Sequence, residues 1–208
     1  RQFASMDAYK TYYQGKLKMS DAALEDFTQR RNAESQTYAG PHRRAIATAC
    51  TELGIVLASH DDATRDHVEE AEALGINVAE FPTTLEAAQA ARQAGMAILM
   101  GGPNVVRGGS HSGNISARVL AEADLLDILS SDYIPFSMLQ SAFALADGAE
   151  GISLSKAVQL VTKRPAEAAG FHDRGEIAIG KRADFVHVRV ADGIPIVSTV
   201  WRQGRRVI

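Results

Sequence analysis

A short apolar run, Ile55-Val-Leu-Ala58, gives way to the polar cluster Ser59-His60-Asp61-Asp62. A neutral imidazole at such a strand end can ligate a metal, with Asp61 or Asp62 as a second ligand or a hydrogen-bonded partner. The same residues can also cap the helix that follows. Asp132 stands in the corresponding place after Leu126-Asp-Ile-Leu129. A carboxylate there can bind a metal or accept a proton from a metal-bound water, and an Asp shortly before Pro135 also suits an ordinary turn. Two ligand-type residues at equivalent strand ends carry more weight together than either alone.

The stretch from Gly101 to Asn114 holds five glycines in 14 residues, together with Asn104, Arg107, Ser110, His111, Ser112 and Asn114. Glycine backbone lets N–H groups approach an anion closely, and an arginine supplies a planar fork for phosphate oxygens. The pattern is neither a Walker A loop nor a dinucleotide-binding fingerprint. A long surface loop is the alternative, although polar loops of this length at an active edge usually carry function. Elsewhere the histidines suggest less. His42 and His67 read as solvated, and His172 and His187 as structural. Cys50 reads as a core residue.

The elements that must hold these groups alternate regularly. Helices are expected at 43–53, 64–74, 85–94 and 116–123, and strands at 55–58, 77–81, 97–100 and 126–129. Alternation of this kind implies a parallel sheet with right-handed crossovers. Continuously apolar strands imply burial on both faces. The polar clusters all fall just after strands, at the carboxyl edge where α/β sheets and barrels form their sites. Residues 1–44 differ. They mix Phe3, Tyr9, Tyr12, Tyr13, Phe27 and Tyr38 with Lys10, Lys16, Lys18, Arg30 and Arg31, and read as a peripheral helical or lid segment. A helix there starts at Asp21, with Ser20 as its N-cap. The division expected is 1–44, then an α/β unit over 45–170, then a small β unit over 171–208. Helices at 153–162 and 165–169 lead into that last unit, whose strand-like runs are expected at 175–180, 185–190, 194–201 and 205–208.

Composition bounds the function. Hydrophobic residues make up 46% of the 208, enough for a sizeable core. Basic and acidic residues number 22 and 25, for a net charge of -3, so no global positive field exists to hold a nucleic acid. The single cysteine excludes an intrachain disulfide and a multi-thiolate zinc site. No apolar run approaches a membrane span, and a cytoplasmic protein without membrane or nucleic-acid partners is expected.

Gly175-Glu-Ile-Ala-Ile-Gly-Lys-Arg-Ala-Asp-Phe-Val186 resembles the tail signature of the amidohydrolase superfamily, and Ala157 to Gly170 resembles the helix pair leading into it. More closely, residues 58–64, 79–84, 101–114 and 129–133, with Tyr12-Tyr13-Gln-Gly-Lys16, resemble the superfamily's diphosphatases of phosphonate metabolism. The resemblance implies an α/β fold: the C-terminal half of a metal-dependent (β/α)8 TIM barrel, strands 5–8, plus part of a small β domain. It implies one or two divalent metals, zinc first among them, with His60 and Asp132 as ligands and Asp132 as the catalytic proton acceptor. It implies hydrolysis of alpha-D-ribose 1-methylphosphonate 5-triphosphate to the 5-phosphate and pyrophosphate, in the carbon–phosphorus lyase pathway. Arg107, Ser110, His111, Asn104 and Lys16 are the candidates for binding the phosphorylated small-molecule substrate. Many members carry a histidine where this chain has Glu80-Phe-Pro-Thr-Thr84, and their paired ligands after the first strand have no counterpart here.

A C–N hydrolase of the same superfamily, acting on a cyclic amide or as a deaminase, and a non-catalytic half-barrel that binds a ligand are the other readings. A barrel needs about 250 residues, and the chain begins with Arg1. It is therefore read as part of a longer enzyme, inactive alone, partnered by the missing N-terminal half or by a second copy in a homo-oligomer.

Overall fold

The computed structural model describes residues 6–110 and 113–208. Two helices, α1 (Met6–Leu17) and α2 (Asp21–Glu34), open the chain, and the Ser20 side chain accepts the Ala23 N–H at the start of α2. A π-helical turn over Ser35–Ala39 joins α2 to α3 (Gly40–Glu52), which runs unbroken through residue 44. Tyr13 packs against Tyr9, Tyr12 and Phe27 between α1 and α2, which accounts for the aromatic content of this segment.

Four strands follow: β1 (Ala58–His60), β2 (Val78–Glu80), β3 (Ala97–Gly101) and β4 (Ile128–Ser130). They form one parallel sheet in the order β1-β2-β3-β4. Between them lie α4 (Arg65–Ala73), α5 (Leu85–Gln93), α6 (Gly102–Arg107) and α7 (Ala117–Glu122). The expected alternation and parallel pairing are both present. β1 and β4 begin three and two residues later than apolarity alone suggests, because Ser59, His60 and Ser130 join the hydrogen-bond ladder despite being polar.

The first two units repeat one local plan at a spacing of 20 residues, the separation of the register partners His60 and Glu80. Each strand exits through a left-handed residue, Asp61 (φ 58°) or Phe81 (φ 56°). Each following helix is capped by a threonine: Thr64 accepts the His67 N–H, and Thr84 accepts the Ala87 N–H at 3.1 Å. Each helix ends before a glycine with positive φ, Gly75 or Gly95, the conformation that terminates a helix without strain.

The core lies between sheet and helices. On α5, Ala87, Ala88, Ala90 and Ala91 are buried, their small side chains letting the helix lie close on Ala79 and Ile98. Leu120, Leu129, Leu145 and Leu160 complete it. Each buried leucine contributes about 1.5–3 kcal/mol, against about 0–1 kcal/mol for an exposed ion pair such as Arg30–Asp26.

Asp127, just before β4, accepts hydrogen bonds from the Ile98 N–H and from Arg92 on one oxygen and from Arg164 on the other, at 2.8–2.9 Å. It thus ties β3, α5 and α10 (Lys163–Ala168) to the amino end of β4.

Three regions depart from the sequence reading. Helix α8 (Ser137–Gly148) fills a stretch to which no element was assigned, and it begins without a side-chain cap. The glycine-rich segment opens with α6 rather than a loop: Pro103 fixes its first turn and Gly108 (φ 86°) stops it. The expected strand at 175–180 does not form. Gly175 (φ 94°) is pressed against Thr162, Lys163 and Ala166, and the alternating Ile177 and Ile179 project outward with no strand beside them. The remaining tail is antiparallel, β5 (Phe185–Ala191), β6 (Ile194–Arg202) and β7 (Arg205–Arg206), reached through α9 (Leu154–Gln159) and α10. Asp192-Gly193 and Gln203-Gly204 make its turns, both residues of each with positive φ, as two-residue hairpins require.

Asp127→Ala leaves the Ile98 N–H and two arginines without their acceptor. It is expected to lower stability by about 1–3 kcal/mol in urea unfolding, and a change below about 0.5 kcal/mol would show that the bracket carries no stability.

Candidate active site

The carboxyl edge of the sheet opens into a cavity of about 240 Å³. His60, Asn104, Arg107, Ser110 and Asp132, five of the residues singled out in the sequence, line it together. Lys16 does not. It lies at the end of α1, where its ammonium donates to the Tyr12 hydroxyl at 3.0 Å. His111 and Ser112 lie outside the described residues.

Backbone bonds fix the floor of the site. The Asp61 and Phe81 N–H groups donate to the carbonyls of Glu80 and Leu99, each extending the ladder one step beyond its strand. The Thr83 N–H donates to the Asp62 carbonyl, the Thr84 hydroxyl to the Ala63 carbonyl, and the Ile115 N–H to the Thr83 carbonyl. Three successive loops are therefore stitched side by side.

His60 ends β1, with its ring held between two carboxylates. Its Nδ1 is 2.9 Å from Glu80 Oε2 and its Nε2 is 3.4 Å from Asp61 Oδ2. Phe81 meets the ring edge-on at 5.6 Å. Burial pushes the Asp61 carboxyl above the usual carboxylate range, against the pull of His60 beside it. Glu80 is thus the partner of His60, at the place where many superfamily members carry a histidine. The 20-residue spacing between the two is the sequence signal for it.

Asp132 follows β4 in a left-handed conformation (φ 49°). Its carboxylate lies over Gly101, the last residue of β3, where an added Cβ would come within 3.0 Å of Oδ2. Gly101 therefore leaves the carboxylate its space. Gly102 is as closely confined: a Cβ there would fall 2.9 Å from the Ser137 hydroxyl and 3.0 Å from the Ser137 carbonyl. This contact presses α6 against α8.

Arg107, the last residue of α6, donates from Nη2 to the Tyr133 hydroxyl at 2.9 Å. Tyr133 closes the 129–133 motif that carries the resemblance, but the sequence reading gave it no role. Asn104 serves the scaffold: its side-chain oxygen accepts the Ala117 N–H at 2.9 Å and its amide donates to the Ile115 carbonyl, which sets the start of α7. Three of the remaining histidines have local partners. His42 stacks on Tyr38, His67 Nδ1 accepts the Ala63 N–H, and His187 meets the Ser198 hydroxyl.

Imidazole and carboxylate are ordinary ligands of divalent ions. The residues present fit such an ion in kind: His60 and Asp132 line one cavity, and Gly101 keeps clear the cradle a Cβ would fill. Among the described residues, no three such side chains converge closely enough to form a complete ligand set.

A partial parallel barrel with a polar carboxyl edge and a small antiparallel tail defines a class, and the match over residues 19–208 gives its name: the chain belongs to the amidohydrolase family. Its relatives narrow the picture. The chain is 51% identical over all 208 residues to the alpha-D-ribose 1-methylphosphonate 5-triphosphate diphosphatase of Escherichia coli (strain K12), spanning 55% of that protein's length. It is 38% identical over 104 residues to the imidazolonepropionase of Streptomyces griseus, covering 44% of this chain and 27% of that one. Among solved structures it resembles an amidohydrolase from Thermotoga maritima MSB8, with a TM-score of 0.58, 22% identity, and coverage of 96% of this chain and 60% of that one. It also resembles the A. niger ochratoxinase, with a TM-score of 0.57, 14% identity, and coverage of 79% and 44%. These structural likenesses show the fold, a partial (β/α)8 barrel with a small β domain.

Gly102→Ala is expected to cost about 1–3 kcal/mol, the usual range for forcing a methyl into a filled contact. Thermal unfolding measures it, and an unchanged melting temperature would mean that α6 and α8 separate freely.

Proposed function

We propose that the chain carries part of the active site of a metal-dependent diphosphatase that cleaves a ribose 5-triphosphate to the 5-phosphate and pyrophosphate. The observation that carries this reading is the 51% identity, over the whole chain, to the E. coli diphosphatase. On it, the substrate is alpha-D-ribose 1-methylphosphonate 5-triphosphate, the pathway is phosphonate catabolism through the carbon–phosphorus lyase, and the compartment is the cytoplasm. No helix among the described residues is long and apolar enough to cross a membrane. The remaining ligands and phosphate contacts would come from segments outside this chain. The division at about residues 44 and 170 is part of the same proposal.

His60 and Asp132 would hold the divalent ion, zinc first among the candidates. Bound there, such an ion lowers the pKa of a water and neutralises phosphoryl charge. Glu80, against Nδ1, fixes the ring orientation and tautomer of His60, as carboxylate partners of ligating histidines do. Asp132 accepts the proton of the water that attacks phosphorus. Arg107, with Ser110 and the glycine backbone at 108–109, holds the oxygens of the phosphate chain; His111 is a further candidate. Phosphoryl transfer asks little else of the protein, since positioning and charge supply most of the rate.

The imidazolonepropionase likeness favours a C–N hydrolase as the second reading, but it covers less than half of the chain. Release of pyrophosphate from the triphosphate, measured beside hydrolysis of cyclic amides by the enzyme containing this chain, separates the two; no pyrophosphate from any ribose 5-triphosphate would exclude the first. Asp132→Asn keeps the shape and removes the proton acceptor. Its turnover is expected to fall by about 10²–10⁴-fold with the fold intact, and near-normal turnover would remove Asp132 from the mechanism.

A further inference from the structure

Tyr133 and Arg107 face one another from two closed backbone elements. The turn Ser131–Ile134 is shut by the Ile134 N–H donating to the Ser131 carbonyl at 3.0 Å, with Asp132 and Tyr133 at its centre. The Ser137 hydroxyl, donating to the Ile134 carbonyl at 2.7 Å, braces it from α8. Opposite, α6 ends at Arg107, and the Gly108 and Gly109 N–H groups return to the Val105 and Asn104 carbonyls. The phenol and the guanidinium therefore meet with little freedom in either backbone. Immobilising an arginine side chain costs rotamer entropy, and the bond to Tyr133 meets part of that cost before any ligand arrives.

The hydroxyl's chemistry is asymmetric. A phenol has one proton to donate and oxygen lone pairs to accept with. Arg107 donates into a lone pair at 2.9 Å, so the proton of the phenol cannot point along that bond. Among the described residues, Arg107 is its hydrogen-bonding partner. Both side chains line the cavity that holds Asp132, and Tyr133 is 58% exposed.

We propose that Tyr133 is a phosphate-binding residue of this site: its oxygen fixes Arg107 while its O–H donates to an oxygen of the same phosphate group. The pair then offers a guanidinium fork and a hydroxyl to one anionic group, a recognition unit for the end of a polyphosphate. This rests on the phosphate-binding reading above and adds the residue that orients its arginine. A neutral amide would gain little from the pair, because charge-assisted bonds to an anion are roughly twice as strong as neutral ones.

The test is isothermal titration of the enzyme that contains this chain with inorganic tripolyphosphate in magnesium buffer. Tyr133→Phe keeps the ring and removes only the hydroxyl. It is expected to weaken binding about tenfold, the size of one charge-assisted hydrogen bond, with no change in melting temperature. Arg107→Ala is expected to weaken it more. Wild-type affinity in Tyr133→Phe alongside weakened Arg107→Ala overturns the role of Tyr133 and leaves the phosphate reading standing. Wild-type affinity in both variants, or no saturable binding to the unaltered enzyme, overturns both.

Discussion

A parallel sheet forces every strand to hand its chain to a helix across the same edge, and that edge must end the ladder without stranding backbone groups. Here the requirement is met by a left-handed residue after the strand, which lets one more N–H reach the neighbouring strand. The threonine three residues further on caps the next helix, and its loop hydrogen-bonds to the loop beside it. Everything functional hangs from this arrangement. His60 and Glu80 meet because β1 and β2 are paired in that register. Slipping β1 by one residue would turn His60 to the opposite face and abolish the pair.

Beyond β3 the repeat is broken, and the break creates the cavity. After β3 the chain enters α6 directly, with Gly101 and Gly102 giving way to Asp132 on one side and to α8 on the other. Two glycines in succession are needed because two separate neighbours crowd the same turn. The position of Arg107 follows, since α6 is a six-residue helix pinned at its start against α8 and at its end by Gly108. Tyr133 arrives from β4 through the turn that also sets Asp132. The proposed proton acceptor and the proposed phosphate pair are therefore carried on two adjoining exits of the sheet.

Much of this was legible in the sequence, and the reasons differ by element. Apolar runs and helix-ending glycines mark the strand–helix alternation, because burial on both faces and left-handed helix ends leave strong residue preferences. The cavity residues were found because ligand-type side chains after apolar runs share one edge in any parallel sheet. What escaped notice lacked a local signal. Helix α8 has no cap and is apolar on most sides, so neither its start nor its face is marked. The run 175–180 has strand composition, but a strand needs a partner, which alternation cannot report. Asn104 lines the cavity as expected and also holds the start of α7, a second role that depends on a contact 13 residues away.

Charge constrains what the cavity can hold. Asp61 and Asp132 line it, Glu80 stands behind His60, and Arg107 faces them. Like charges 4 Å apart repel by about 4 kcal/mol at an effective dielectric constant of 20, and a triphosphate brings several negative charges. One guanidinium among these groups cannot offset both the carboxylates and a phosphate chain. A polyphosphate and these acids can share the space only with more positive charge between them. On the proposed reading, then, phosphate recognition and divalent-ion binding are one property. His60 and Asp132 would hold the ion, whose charge would offset the acids and leave the Arg107–Tyr133 pair facing a site that can take an anion.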